Sequence, residues 1–210
     1  GRIPSAIASD VREGPLSRAR ATARACGCFE RMSFRLCDGL SGIAPEEVDA
    51  LVIAGMGGET ITNILEAAPW IKEKDFPIIL QPMSTQAELR GWLWRNGFLC
   101  LREKTALEGE TLYSIILVRQ GGAVPMTPAE EWAGRQYPGM EDPLRGLLLD
   151  HLLGRVRRAL DGMARSRAPA EARRRELEAA RRVKLHIVYE VCTPLCMDCY
   201  KSVRSSCFRR

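Results

Sequence analysis

The sequence predicts an α/β protein with a largely parallel sheet, followed by a basic helical hairpin. Three observations carry this. Short β-rich runs alternate with helical stretches of about 10 residues, the spacing of βαβ crossovers. Glycine, proline or aspartate punctuates the end of each run. After residue 143 the pattern changes to long apolar stripes of helical period in an arginine-rich background.

The elements follow in order. Residues 5–9 (SAIAS) form a short strand ending at Asp10. Gly14-Pro15 opens a helix over residues 16–26, with Ala19, Ala23 and Ala25 as small packing residues and Gly27 as its stop. Residues 32–37 (MSFRLC) are a second strand, followed by Asp38-Gly39. Residues 48–54 (VDALVIA) are a third, apolar enough to be covered on both faces. A helix over 60–67 and a strand over 76–80 (FPIIL), closed by Gln81-Pro82, come next. Residues 85–96 (TQAELRGWLWRN) form an amphipathic helix capped by Gly97. Residues 98–104 and 111–119 lack an intervening helix, so they pair antiparallel around Gly109. In such sheets ligands bind at the carboxyl ends of the strands, where this punctuation falls.

Residues 121–143 are rich in Gly and Pro. They divide the chain into a domain over 1–122, a linker over 123–143, a helical hairpin over 144–190 and a tail over 191–210. Leu144, Leu148, Leu152, Val156, Leu160 and Met163 make one stripe; Leu177, Ala180, Val183 and Ile187 make another, with Ala168-Pro169 between them. Two antiparallel helices satisfy both stripes.

Charge separates the two parts. The chain carries a net +5, but residues 155–184 hold 11 Lys or Arg against 4 Asp or Glu, a net of +7. A basic block beside an acidic domain suits a polyanionic partner, although an arginine-rich solvated helix face gives the same count. No run reaches the ~18 apolar residues needed to span a membrane, and residues 1–30 lack the apolar core of a signal peptide. Of eight cysteines, Cys26, Cys28, Cys37 and Cys100 read as reduced, core-packed thiols of a cytosolic protein. Cys192, Cys196 and Cys199 have the spacing of an iron–sulfur motif, and with Cys207 could form a thiolate zinc site. Only 11 residues follow Cys199, however, and the composition changes abruptly after Val183, so the tail is read as artefactual or disordered and no metal is expected.

The glycine-rich stretch at residues 52–61 (VIAGMGGETI) invites a phosphate reading and resists it. Gly55-x-Gly57-x-x-Thr60 lacks the third glycine of a dinucleotide fingerprint, and the candidate acid, Asp75, precedes the next strand instead of ending it. A phosphate loop needs lysine where Glu59 stands, and a carboxylate there repels a triphosphate. The glycines could simply let a strand turn into a helix. The acids point elsewhere. Asp10 and Asp38 end successive strands, where charged acceptors can take ribose hydroxyls and an adenine amine. That suits a nucleoside-bearing cofactor without phosphates, such as S-adenosyl-L-methionine. Each aspartate alone could equally cap a turn.

The motifs SAIASDVREGPL, CDGL, VDALVIAGMGGETI, ILQPM, LRGWLWRNGF and LYSIILV resemble, in order and spacing, the TrmK family. These are S-adenosyl-L-methionine-dependent methyltransferases acting on N1 of adenosine-22 in tRNA. The resemblance covers about residues 1–120 and extends loosely to about 185. It implies a Rossmann-like class I methyltransferase sheet with a C-terminal antiparallel helical hairpin, a cytoplasmic enzyme, S-adenosyl-L-methionine as cofactor and tRNA as partner. It implies cofactor contacts at Asp10, Val11, Asp38 and Gly39, and at Ala54, Gly55, Met56 and Gly57. It places substrate contacts at Gly58, Gln81 and Pro82, with the arginines Arg157, Arg158 and Arg174 on the hairpin toward tRNA. Met83 stands where the family has asparagine. The family also opens with a strand and an Asp-Ile-Gly-type loop that is not found here. The expectation is therefore a chain truncated at its N-terminus, lacking a central strand and binding cofactor weakly. The catalytic acid or base and the oligomeric state are left open. The rival readings are a methyltransferase of small molecules or proteins, and a non-catalytic nucleic-acid-binding module.

Overall fold

The computed structural model describes residues 3–135 and 142–164, together with Glu171, Arg174, Arg175, Leu177 and Glu178. The first strand, β1 (Ala6–Asp10), leads into helix α1 (Glu13–Ala25) and strand β2 (Met32–Leu36), which lies parallel to β1. Strand β3 (Leu51–Gly57), helix α2 (Gly58–Glu66), strand β4 (Ile78–Ser84) and helix α3 (Gln86–Arg95) form the next crossover, with β3 and β4 parallel. Strands β5 (Phe98–Glu108) and β6 (Thr111–Gln120) form an antiparallel hairpin around Gly109-Glu110, and β6 lies antiparallel to β4.

The strands do not form one continuous sheet. β1 and β2 make a two-stranded piece, and β3, β4, β6 and β5 make a four-stranded one in that order. Contacts on both sides of the gap join the pieces. Leu40, just after β2, enters the core cluster formed by β3, β4, β6, α2 and α3. Arg35 on β2 forms a two-pronged ion pair with Glu47, in the turn before β3, and also donates to the carbonyl of Gly42 at 2.7 Å.

The core shows why these residues form these elements. Leu51 and Ile53 of β3, Ile78 and Leu80 of β4, and Ile116 and Val118 of β6 point to one face. Ile61 and Leu65 of α2 and Leu89 and Leu93 of α3 cover that face. Fully burying each such side chain contributes about 1.5–3 kcal/mol. The expectation that β3 is covered on both faces is corrected. Val52 is 63% exposed and Ala54 is exposed, because α2 and α3 both pack on the Ile53 side. Continuous apolar character in a strand records what its backbone tolerates, and does not say which side a helix returns to.

The segment expected as a linker contains a docked helix, α4 (Pro128–Ala133). Thr127 caps it: its hydroxyl accepts from the Glu130 N–H, and the Glu130 carboxylate accepts from the Thr127 N–H at 2.8 Å. Pro128 at the first helical position completes the start signal. Glu131 then accepts from Trp94 at 2.9 Å and from Arg95 at 3.1 Å, tying α4 to α3.

Helix α5 (Arg145–Ala164) follows. Its buried residues Leu148, Leu153 and Val156 recur at helical spacing. Val156, Leu160 and Met163 pack with Leu177 and with Trp132 of α4. No described helix is long and apolar enough to cross a membrane. The expected tail with Cys192, Cys196, Cys199 and Cys207 lies outside the described residues, as does most of the segment expected to form the second helix of a hairpin. Among the described residues no cluster of His, Cys, Asp and Glu could hold a metal ion.

Candidate active site

The carboxyl ends of the strands bring the sequence-predicted residues into two groups. The first is at β1 and β2. Asp10 ends β1, and its carbonyl accepts from the Cys37 N–H at 3.1 Å, which sets Asp38 beside it. Ser9 on β1 donates to the Gly39 carbonyl at 3.3 Å. One carboxylate oxygen of Asp10 accepts from the Arg12 N–H at 2.8 Å, so Asp10 does cap its own turn. That bond occupies one oxygen only. Asp38 is exposed, and no described residue hydrogen-bonds its carboxylate. Val11 is 61% exposed beside them. Gly39 faces Ile64 of α2, where a Cβ would sit 3.1 Å from two side-chain carbons. This places the first group against the element that follows β3.

The second group spans β3 and β4. The glycine stretch is not a loop: β3 continues through Gly57, with its register against β4 shifting around Gly55 and Met56. Gly55 has φ +76°, a conformation that side chains with a Cβ rarely adopt, and it forms the bulge. Its N–H donates to Gln81 Oε1 at 2.8 Å, joining two predicted residues that are 26 positions apart. Pro82, next in β4, is fully buried.

Gly57 and Gly58 serve a different purpose. Gly57 has φ −63°, so conformational freedom is not the reason for it. A Cβ on Gly57 would approach Ser84 Oγ at 3.0 Å, and one on Gly58 would meet the Thr85 carbonyl oxygen at 2.5 Å. The two glycines let the start of α2 press against the end of β4.

Thr85 was not singled out in the sequence, where it reads as the first residue of a helix. It has φ +49°, the one left-handed non-glycine among the described residues. Such a conformation costs on the order of 1–3 kcal/mol and persists only where its surroundings demand it. Here they do. Its hydroxyl accepts from the Glu59 N–H at 3.2 Å, and its carbonyl accepts from the Leu89 N–H at 3.1 Å. The only sequence signal was the Gly57-Gly58 pair opposite it, which implies a close neighbour without naming one.

The hairpin arginines stand apart from both groups. Arg157 and Arg158 are exposed on α5, and Arg174 is exposed and pairs with Glu178 one turn on at 3.0 Å. Asp75, rejected as a cofactor acid, precedes β4 and pairs with Arg119.

Behind the site lies a polar network that hydrophobic patterning does not reveal. Arg90 of α3 and Glu103 of β5 are 3% and 5% exposed and bond in a fork at 3.0 Å. Arg90 also donates to the carbonyls of Glu131 and Trp132 in α4, at 2.9 and 3.2 Å. Arg145 at the start of α5 donates to the Ala133 carbonyl. Asp142 accepts from the Thr105 N–H at 2.9 Å and its hydroxyl at 2.7 Å. Burial, reinforced by the Glu103 charge, pushes the neighbouring Cys100 thiol up to about 12. The four first-half cysteines are free; Cys100 packs against the core as expected, whereas Cys26 is exposed and Cys28 and Cys37 are only half-buried.

A Rossmann-like sheet with acids at two strand ends and a glycine bulge at a third defines the class. Residues 1–116 match the model of a family described as a methyltransferase domain, and the chain belongs to that family. Over 120 residues the chain is 33% identical to the tRNA (adenine(22)-N(1))-methyltransferase of Bacillus subtilis. That match takes in 57% of this chain and spans about half the length (50%) of the relative. The crystal structure of the B. subtilis M1A22 tRNA methyltransferase TrmK superposes with a TM-score of 0.69 at 25% identity, over 86% of this chain and 80% of that one. Streptococcus pneumoniae Sp1610, solved in complex with S-adenosyl-L-methionine, gives 0.71 at 28% identity, over 87% and 82% of the two chains. These relatives bear out the resemblance to the TrmK methyltransferases and the Rossmann-like fold.

Proposed function

We propose that the protein is an S-adenosyl-L-methionine-dependent methyltransferase acting on N1 of an adenosine in tRNA, the position corresponding to adenosine-22 of the relatives' substrate. One observation carries this reading: the Gly55–Gln81 hydrogen bond brings together the two motifs most specific to the resemblance, IAGMGG and LQP.

The residues at the ends of β1 and β2 fit the nucleoside part of the cofactor. Asp10 keeps one carboxylate oxygen clear of its own turn, and Asp38 is unengaged among the described residues. Asp10 would accept from the ribose hydroxyls and Asp38 from the adenine amine, with Val11 and Gly39 alongside. When bound, S-adenosyl-L-methionine supplies an electrophilic methyl group. Ala54, Gly55, Met56 and Gly57 would hold the reacting centre, where glycine backbone can approach closely. Gly58, Gln81 and Pro82 would position the target base. Gln81 spends its carbonyl on Gly55, and its amide lies 3.3 Å from the Met83 sulfur, so its orientation is set from both ends.

Adenine N1 carries a lone pair and is neutral at pH 7, so a strong base is not required. Alignment and exclusion of water supply the acceleration. N1 lies on the pairing edge, so the base must be exposed before it reacts. Arg157, Arg158 and Arg174 would hold the RNA by its phosphates. A tRNA substrate fits a cytoplasmic site of action.

The test is methyl transfer from labelled S-adenosyl-L-methionine to a tRNA transcript, with digestion to nucleosides. The expected product is 1-methyladenosine, and Asp10→Ala should reduce transfer at least tenfold by weakening cofactor binding. Label in a protein or small-molecule fraction, or undiminished transfer by Asp10→Ala, would overturn the assignment.

A further inference from the structure

A second concavity lies beside the candidate site. Met83 and Gln86 line it from the end of β4 and the start of α3, Glu110 from the tip of the β5–β6 hairpin, and His151 and Arg155 from α5. Trp132 of α4 adds an indole. Its volume is about 260 Å³. That is below the roughly 300–1,000 Å³ of pockets for drug-sized ligands, so it suits one nucleotide better than a whole cofactor.

The position links the cleft to the target base. Met83 directly follows Pro82, and Gln86 Nε2 donates to the Pro82 carbonyl at 3.4 Å. The cleft and the base site thus share the Pro82–Gln86 corner.

The lining holds both paired and unpaired charges. Arg90, which also lines the cleft, closes on Glu103. Arg155 and Glu110 line one cleft and do not pair with each other, and neither bonds to another described residue. A cation, an imidazole and a carboxylate are thus held open around a space of nucleotide size. Arg158 stands three residues after Arg155 and leans back along α5, its guanidinium 3.4 Å from where a Cβ on Gly154 would stand.

We propose that this cleft is a subsite for a second, unpaired nucleotide of the RNA, adjacent to the one methylated. Arg155 and His151 take its phosphate, with Arg158 leading the backbone in. Glu110 accepts from an amine on its base, which favours cytosine, adenine or guanine over uracil, because uracil carries no exocyclic amine. This rests on the tRNA reading above.

The test measures tRNA binding by fluorescence anisotropy with the full chain, against a duplex RNA of equal length, for the wild type, Arg155→Ala and Glu110→Gln. Both substitutions are at exposed positions, and unchanged thermal melts confirm the fold. Arg155→Ala should weaken tRNA binding about tenfold, the loss of one charge-assisted hydrogen bond. Glu110→Gln separates a subsite from a merely basic surface. On a basic surface, removing an acid strengthens binding; in the subsite it weakens tRNA binding severalfold while leaving duplex binding unchanged. If the wild type prefers tRNA but Glu110→Gln binds it as well or better, the subsite is wrong and the tRNA reading stands. If the wild type does not prefer tRNA over duplex, both fall.

Discussion

Two neighbouring glycines illustrate how one residue type answers two demands. Gly55 is needed for its backbone, since φ +76° is a conformation that side chains with a Cβ rarely adopt. Gly58 is needed for its missing Cβ, because the Thr85 carbonyl oxygen lies 2.5 Å from where that atom would stand. The obstacle is backbone, fixed in turn by the bonds that hold Thr85 left-handed, so it cannot move aside cheaply. Gly58→Ala should destabilise by about 1–3 kcal/mol, the usual cost of overpacking. Gly55→Ala meets no atom within 4 Å and should cost only the conformational strain, about 1 kcal/mol. Chemical denaturation of both variants checks the order. Equal losses would mean that the close approach of α2 to β4 is not the controlling contact.

At the scale of elements, the Arg90–Glu103 pair fastens α3, β5 and α4 together. A buried pair is weak evidence of stability while intact, since desolvation offsets much of the attraction, but breaking it strands a charge. Arg90→Ala should therefore cost about 3–5 kcal/mol. Replacing both partners with apolar residues, as in Arg90→Met with Glu103→Leu, should restore much of this. Recovery should not be complete, because Arg90 also donates to two carbonyls of α4. The paired measurements are thermal stability and the protease sensitivity of α4. Full recovery of both in the double variant would show that the carbonyl bonds contribute nothing.

At the scale of the whole molecule, the two sheet pieces must keep their relative placement if Asp10, Asp38 and Gly55 are to serve one ligand, as proposed. Arg35–Glu47 is one of the few links between them. The Arg35 hydrogen bonds hold the Glu47 carboxyl down to about 2 from an ordinary 4.5, helped by the Ala44 N–H. A lowered carboxyl stabilises above its unfolded pKa, and that contribution is lost as pH falls from about 4.5 toward 2. Hydrogen exchange should therefore show the β1–β2 piece loosening over that range before the core beneath α2 and α3. Glu47→Gln should remove the pH dependence by loosening the joint at every pH. An acid response identical in the variant would assign it to other carboxylates. The fold class, the succession of the strands along the chain and the identity of the strand-end residues were legible in the sequence, because apolar periodicity and turn chemistry are local. Asp10, Asp38, Gly55 and Gln81 could each be singled out for the same reason. The tertiary structure alone decided that Gly55 bonds Gln81, that Thr85 sits strained opposite Gly58, that β3 is covered on one face, and that the supposed linker folds into α4. It also decided that Arg90 and Glu103 are buried together. Those outcomes depend on contacts between distant segments, and a side chain's partner across space leaves no period in the chain that carries it.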